Sequence, residues 1–206
     1  MRVVVCDPGV GNVRSVVRAI ERAVGVSRSA EVVVTRDAAT VRSAAYVVVP
    51  GQGAFGAFVR GIEGELAEAL RAHLAAERPY LGICLGMQVL FESSDEAPGA
   101  AGLSFLRGHV KRLAPGVDPV TARPYALPHI GWNAVATPGE ERAPYFYFAH
   151  TFAPAPDDPT VVSGTTTYGN ATFVSAIARG TVLGVQFHPE KSQREGLALL
   201  TRFFQV

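Results

Sequence analysis

LGICLGMQ, residues 81–88, places Cys84 between Gly82 and Gly86, at the point where an apolar strand reading over Tyr80–Cys84 gives way to a helix reading through Met87, Leu90 and Phe91. In open parallel sheets ligands sit at the carboxyl ends of the strands, so the position suits a site. Gly-x-Cys-x-Gly is the spacing of a nucleophile elbow, a sharp strand-to-helix turn that lifts the central side chain out of the sheet. Side chains at the flanking positions would collide with neighbouring backbone in so tight a turn, and glycine avoids that. The helix start beyond it offers unpaired N–H groups that favour a thiolate and can donate to an oxyanion. A buried cysteine in an ordinary βα turn has the same local sequence, because free cysteine is among the most buried residue types. A partner base is needed to choose between the two.

Outward from the elbow, strands and helices alternate. Arg2–Cys6 is a β-branched run ending in Asp-Pro-Gly, and Asn12–Val24 repeats Val13, Val16, Val17, Ile20 and Val24 at helical spacing. Glu31–Thr35 and Tyr46–Val49 read as strands, and Ile62, Leu66, Leu70 and Leu74 as one helix. This alternation predicts an α/β fold with a mostly parallel central sheet flanked by helices. From about residue 105 the pattern changes to HIGWNAV (129–135), YFYFAHTF (145–152), and the pair TFVSAIA and TVLGVQF joined by Arg-Gly. These predict antiparallel strands and a hairpin, hence a mixed sheet with a smaller antiparallel region. Ser192 with Glu195 three residues on reads as a capping box opening a last helix whose apolar face is Leu197, Leu200 and Phe204. Residues 115–128 and 153–159 are proline-rich and read as loops. No linker or repeat divides residues 1–206, which are taken as one domain.

The base is found in GVQFHPEKS, residues 184–192. A residue before proline is pushed into an extended conformation, where positions i and i+2 point to one side, so His188 and Glu190 can face the same cleft. A carboxylate beside an imidazole fixes its tautomer and stabilises the imidazolium. Cys84, His188 and Glu190 together then make an acyl-transfer triad, with the thiolate as nucleophile and His188 as proton shuttle. Alone, His-Pro-Glu is a strand end with a turn; joined to the elbow it becomes a site. Pro50-Gly51-Gln52-Gly53 follows the Tyr46–Val49 strand at the same sheet edge, where it could supply an oxyanion N–H.

Composition narrows the partners. The formal charge is +1 and 48% of residues are apolar, which argues for a buried core and against nucleic acid or an acidic membrane surface. Two cysteines are too few for a disulfide framework, so a reducing, cytoplasmic setting is expected. The apolar run at residues 3–6 is far too short for a signal sequence or a span. His73, His109, His129 and His150 are read as structural, and Cys6 as core. No pair of them has metal-ligand spacing, so no metal and no cofactor are expected. Gly9-x-Gly11 lacks the third glycine of a dinucleotide fingerprint, and PGQGAFG (50–56) lacks the Lys-Ser/Thr of a phosphate loop.

GICLGMQ (82–88) together with FHPEKS (187–192) resembles the class I, triad-type glutamine amidotransferases, of flavodoxin-like architecture. DPGVGNVRSV (7–16), PGQGAFG, HIGWN (129–133), YFYFAHTF and GVQFHPEKSQREGLALL (184–200) follow in order the branch whose members serve a separate cyclase subunit in histidine biosynthesis. The resemblance implies that Cys84 attacks the carboxamide of L-glutamine. It implies an oxyanion hole from Leu85 N–H and a backbone N–H within Gly51, Gln52 and Gly53. It implies that Gln88 and Glu96 hold the glutamine, that Thr151 and Phe152 contribute mainly backbone, and that Asn12, Tyr147 and Lys191 lie on the partner side where ammonia leaves. The implied partner is a (β/α)₈ cyclase that turns ammonia and a phosphoribosyl intermediate into imidazole glycerol phosphate and aminoimidazole carboxamide ribotide. A glutaminase alone releases ammonia unused, and 206 residues leave little room for a synthase domain, so a second subunit is expected to receive it. Pro8, Gln52 and Phe152 depart from the family's usual aromatic, valine and tyrosine, a difference that bears on the substrate loop and not on the triad. A glutaminase serving another synthase, a cysteine-elbow hydrolase of similar architecture, and a binding module that has lost catalysis are the rival readings. The presence of all three triad members counts against the last.

Overall fold

A computed structural model describes residues 2–9, 12–25 and 30–205. Val10 and Gly11 of the opening DPGVGN segment, and with them the Gly9-x-Gly11 pair, lie outside the described residues. The first half alternates as expected: β1 (Arg2–Cys6), α1 (Val13–Val24), β2 (Glu31–Thr35), α2 (Ala38–Ser43), β3 (Tyr46–Gly51), α3 (Phe55–Ile62), α4 (Glu65–Ala75), β4 (Tyr80–Cys84) and α5 (Leu85–Gln88). The second half is richer in strands: β5 (Ser93–Ser94), β6 (Gly108–Arg112), β7 (His129–Ala134), β8 (Tyr145–His150), β9 (Phe152–Pro156), β10 (Val162–Tyr168), β11 (Ala171–Arg179) and β12 (Val182–Val185), closed by α6 (Gln193–Phe203).

A seven-stranded sheet runs β10-β11-β12-β4-β3-β1-β2, parallel from β12 to β2 and antiparallel at the β10-β11-β12 end. A three-stranded sheet, β5-β6-β9, and the antiparallel pair β7-β8 complete the fold. The mixed, mostly parallel sheet with a smaller antiparallel region is therefore present. Val3, Val4, Val5, Val47, Val48 and Val49 are all fully buried, as strands covered on both faces require. One face packs against α2, α3 and α4, and the other against α1, α6 and β8. Asn12 caps α1, its side chain accepting from Ser15 N at 3.4 Å, and Val16, Ile20 and Val24 form the helix's buried stripe. Among the described residues no helix is long and apolar enough to cross a membrane.

Several local expectations are corrected. The single helix expected from Ile62 to Leu74 is two, because Gly64 has φ +73 and breaks the ladder between Ile62 and Glu65. The helix after Cys84 does not reach Leu90 and Phe91. The carbonyls of Val89 and Leu90, which would carry the next turn, accept instead from Leu103 N (2.6 Å) and Leu106 N (2.9 Å). Residues 153–156 are not loop; they lie in β9, paired with β6. The 181–187 strand is shorter than read, ending at Val185.

The capping box is also overturned. Ser192 precedes α6 but its hydroxyl makes no cap bond; it donates to His188 O at 2.6 Å and accepts from Tyr147 N at 2.9 Å. Glu195 faces Arg142 at 3.3 Å instead. Phe204 lies one residue past the helix end, buried against Tyr46.

The register of three strands builds the site. Gly51 of β3 pairs with Cys84 of β4, and Val185 of β12 pairs with Ile83. The residues just beyond these ends, Gln52, Leu85 and Gln186 to His188, are thereby brought to one edge.

Candidate active site

Cys84 holds φ 54 and ψ −107, a conformation that costs a non-glycine residue about 1–3 kcal/mol and recurs at functional turns. Its flanking glycines have a steric reason. A Cβ on Gly82 would meet the carbonyl of Gly86 and lie 2.7 Å from Met87 N, and one on Gly86 would strike the carbonyl oxygen of Val49. Gly51 is equally hemmed in, since a Cβ there would lie 2.6 Å from Leu85 Cβ. Tyr80 OH donates to Gly86 O at 2.8 Å and pins the turn from below. Leu85 opens the short α5 directly after the cysteine, so its N–H belongs to the unpaired first turn.

His188 follows β12 and lines the same cavity as Cys84, whose sulfur favours the charged imidazolium. Its Nδ1 is 2.9 Å from Oε1 of Glu190, and both side chains are only 2% exposed. With Nδ1 committed to the carboxylate, Nε2 is the nitrogen left for the sulfur. The backbone is clamped on two sides: His188 N donates to Tyr147 O at 2.8 Å, and Ser192 Oγ holds His188 O. Burial alone would push the His188 imidazole down. The bonds and charges of Cys84 and Glu190 outweigh it and raise the group to about 9. The charged imidazolium is thereby favoured over the neutral ring, which suits it to give a proton to a leaving group.

The cavity holding Cys84 and His188 has a volume of about 330 Å³. Gln52, Gly53 and Leu85 line it on the side of the β3 end. Gln88 and Glu96 line it opposite, and Thr151, Phe152 and Lys191 complete the wall. Gln88 Nε2 donates to Phe152 O and to Gln186 Oε1, each at 3.0 Å, while its own Oε1 is buried without a partner. Glu96 accepts from Phe55 N at 2.9 Å, which ties it to the start of α3. Gly51, Asn12 and Glu190 border a smaller adjoining space together with Gln52 and His188, on the far side of the imidazole. Tyr147 lines neither space; its ring lies 5.7 Å from Lys191 Nζ and edge-on to Trp132. Every site residue expected from sequence is therefore in the cavity, next to it, or in contact with a residue that lines it.

Two residues escaped the sequence reading. Gln186, fully buried, donates from Nε2 to Cys84 Sγ at 3.4 Å. His150, read as structural, lines the cavity, with Nδ1 2.9 Å from Phe152 O and Nε2 3.3 Å from His129 Nδ1. The alternation of YFYFAH, which buries Phe146, Phe148 and His150 on one face of β8, is the signal that would have placed it.

Burial lowers His150 to about 3 and His129 to about 4. A histidine held neutral when folded contributes stability that is full above its unfolded value near 6.5 and is lost as pH falls toward the folded value. His188, shifted upward, has the opposite sign: its contribution is full below about 6.5 and lost as pH rises through about 9. Stability should therefore decline on both sides of neutrality. His150→Gln should flatten the acid limb, recovering about 2 kcal/mol of the stability lost between pH 7 and pH 5, measured by denaturant unfolding at each pH. An unchanged acid slope in the variant would assign that limb to other groups.

Comparison with known proteins adds to this geometry. A family model described as "Glutamine amidotransferase class-I" matches residues 4–206. The imidazole glycerol phosphate synthase subunit HisH of Aquifex aeolicus is 42% identical over 98% of this chain and 96% of its own length. That of Thermotoga maritima is 38% identical over 100% and 97%. Among solved structures, one described as a glutamine amidotransferase aligns with TM-score 0.71 at 20% identity, covering 99% of each chain. The PurLQS structure from Thermotoga maritima aligns with TM-score 0.70 at 15% identity, covering 100% of this chain and 99% of that chain. At those identities the structural likeness speaks for the fold.

Proposed function

The chain belongs to the class-I glutamine amidotransferase family, and from that premise we propose that it is the glutaminase subunit of an imidazole glycerol phosphate synthase, in L-histidine biosynthesis. It hydrolyses L-glutamine to glutamate and ammonia and hands the ammonia to a (β/α)₈ cyclase subunit in the cytoplasm. Residues 1–206 form one glutamine amidotransferase domain. The observation that carries the chemistry is Cys84 on a strained elbow facing His188, itself held by buried Glu190.

In this reading the Cys84 thiolate attacks the side-chain carbonyl carbon of glutamine, and the oxygen gathers negative charge. Leu85 N–H and a backbone N–H from the Gly51–Gly53 segment receive it; such donors contribute about 10²- to 10³-fold each. The His188 imidazolium protonates the nitrogen, the C–N bond breaks, and ammonia leaves a γ-glutamyl thioester. Water then attacks with His188 as base, and the thiolate departs from glutamate. Gln88 and Glu96, both lining the cavity, hold the substrate, with Glu96 supplying a carboxylate for its ammonium group. Asn12, Tyr147 and Lys191 mark the side on which ammonia passes to the partner.

The relatives' names support this partner over those of other amidotransferases. The test is glutamine hydrolysis by the full chain with and without the cyclase and its phosphoribosyl ligand. Hydrolysis is expected to be slow alone and to rise when the loaded cyclase binds. Equal rates in both conditions would remove the coupling from this reading, and no hydrolysis in either would remove the glutaminase itself.

A further inference from the structure

Gln186 has no role in the mechanism above, yet it is fully buried at the centre of the site. A buried amide costs about 1–3 kcal/mol for each polar group left unpaired, whereas a methionine of similar volume would fill the space without that demand. Phe187, next in the chain, stacks on Phe146 with ring centroids 4.0 Å apart. That stacking anchors the bend after β12, in which Gln186 reaches Cys84 and His188 lines the same cavity.

The orientation of the amide follows from its neighbours. Phe152 O can only accept, so the Gln88 atom 3.0 Å from it is the nitrogen. The same nitrogen lies 3.0 Å from Gln186, whose facing atom must then be Oε1. Nε2 of Gln186 is consequently the atom 3.4 Å from Cys84 Sγ, and Oε1 of Gln88 is left buried without a partner. A chain of hydrogen bonds thus joins the backbone of β9, two glutamine side chains and a sulfur that lies 102 residues from Gln186 in sequence.

We propose that Gln186 is a further catalytic residue of the glutaminase centre: its amide N–H holds the Cys84 sulfur, and its carbonyl fixes the Gln88 amide. The inference rests on the glutaminase reading for its substrate and on geometry for its contacts. During acylation the sulfur electron pair forms the S–C bond, and the C–N bond breaks as His188 protonates nitrogen. During deacylation water adds, the S–C bond breaks, and the pair returns to sulfur, where the Gln186 N–H meets the charge. Gln186 keeps its proton throughout. Charge-assisted donation to a thiolate is stronger than donation to a thiol or thioester, so the contact favours release of the thiolate as well as its formation.

The experiment compares the wild-type full chain with Gln186→Met, using Cys84→Ala as the blank. Two quantities are read: steady-state glutamine hydrolysis, and the pH dependence of Cys84 alkylation by iodoacetamide, which needs no glutamine. The other titratable groups lining the cavity, Glu96, His150, His188 and Lys191, are unaltered in the variant. Gln186→Met is expected to lower kcat about 10- to 100-fold and to move the alkylation midpoint upward by about one pH unit. Wild-type kcat with an unmoved midpoint would overturn the proposal, leaving Gln186 as packing. If Gln186→Met does not fold, the wild-type protein decides. The Gln186 side-chain amide protons should shift in NMR spectra when Cys84 is alkylated, and an unresponsive amide overturns the contact. A wild-type chain that fails to hydrolyse glutamine sinks the glutaminase reading, whereas the alkylation comparison still judges Gln186.

Discussion

Cys84→Ala is expected to reduce glutamine hydrolysis by about 10⁴-fold or more, because the residues of a triad act as a unit and the nucleophile's loss disables the others. The substitution removes one buried sulfur, 5% exposed, from a turn whose shape is set by glycines, so the fold and the outer surface should persist. Synthesis of imidazole glycerol phosphate with added ammonia, in the complex with the cyclase, should therefore continue at the wild-type rate. The paired measurement matters. Loss of both activities would mean that the change had damaged the assembly, and retention of glutamine hydrolysis would remove Cys84 from the chemistry altogether.

Gly86→Ala should be strongly damaging, since a Cβ there meets backbone at the closest approach of any buried glycine among the described residues. Gly86 does not have a positive φ, so its requirement is steric and not conformational. The added Cβ would land on the carbonyl oxygen of Val49, with the Val49 carbonyl carbon 2.8 Å away. Neither side can yield cheaply. Gly86 O is held by Tyr80 OH, and Val49 sits in the centre of the parallel sheet, paired with Gly82. Overpacking of this kind costs about 3 kcal/mol, and β3 must move away from β4 to relieve it. That movement separates Gly51 from Cys84, so hydrolysis should fall further than the stability loss alone explains. Urea unfolding and glutaminase assay of the folded fraction check both parts. Gly139→Ala is the control: Gly139 lies outside the site, has φ +81 and has no atom within 4 Å of its Cβ position, so it should cost only the backbone strain, about 1 kcal/mol. Equal damage at the two positions would show that crowding is not what makes Gly86 necessary.

Much of this architecture can be read from the chain because it depends on near neighbours. The valine runs of β1 and β3 and the period of α1 follow from local geometry. So do Gly82 of the elbow, which answers a collision with the Gly86 backbone four residues on, and the pairing of His188 with Glu190, which needs only an extended residue before proline. Where local rules competed, the tertiary environment chose. Ser192 has the sequence context of a helix cap, but its hydroxyl lies where the His188 carbonyl and the Tyr147 amide converge, and it bonds to them instead. Leu90 and Phe91 have helical spacing, but the segment around Leu103 and Leu106 takes the carbonyls that a further turn would use.

From its sequence alone this protein is an α/β chain with a cysteine on a glycine-framed elbow, a candidate nucleophile, and a histidine–glutamate pair as its candidate base. Only the folded sheet decides that Gln186 reaches the sulfur, that His150 borders the cavity of Cys84, and that the buried Gln88 carbonyl is left without a partner. The physical reason is distance along the chain. Turn sterics and side-chain alternation act over a few residues and leave a mark in spacing, whereas a hydrogen bond between buried amides is created by strand register, which no local pattern encodes.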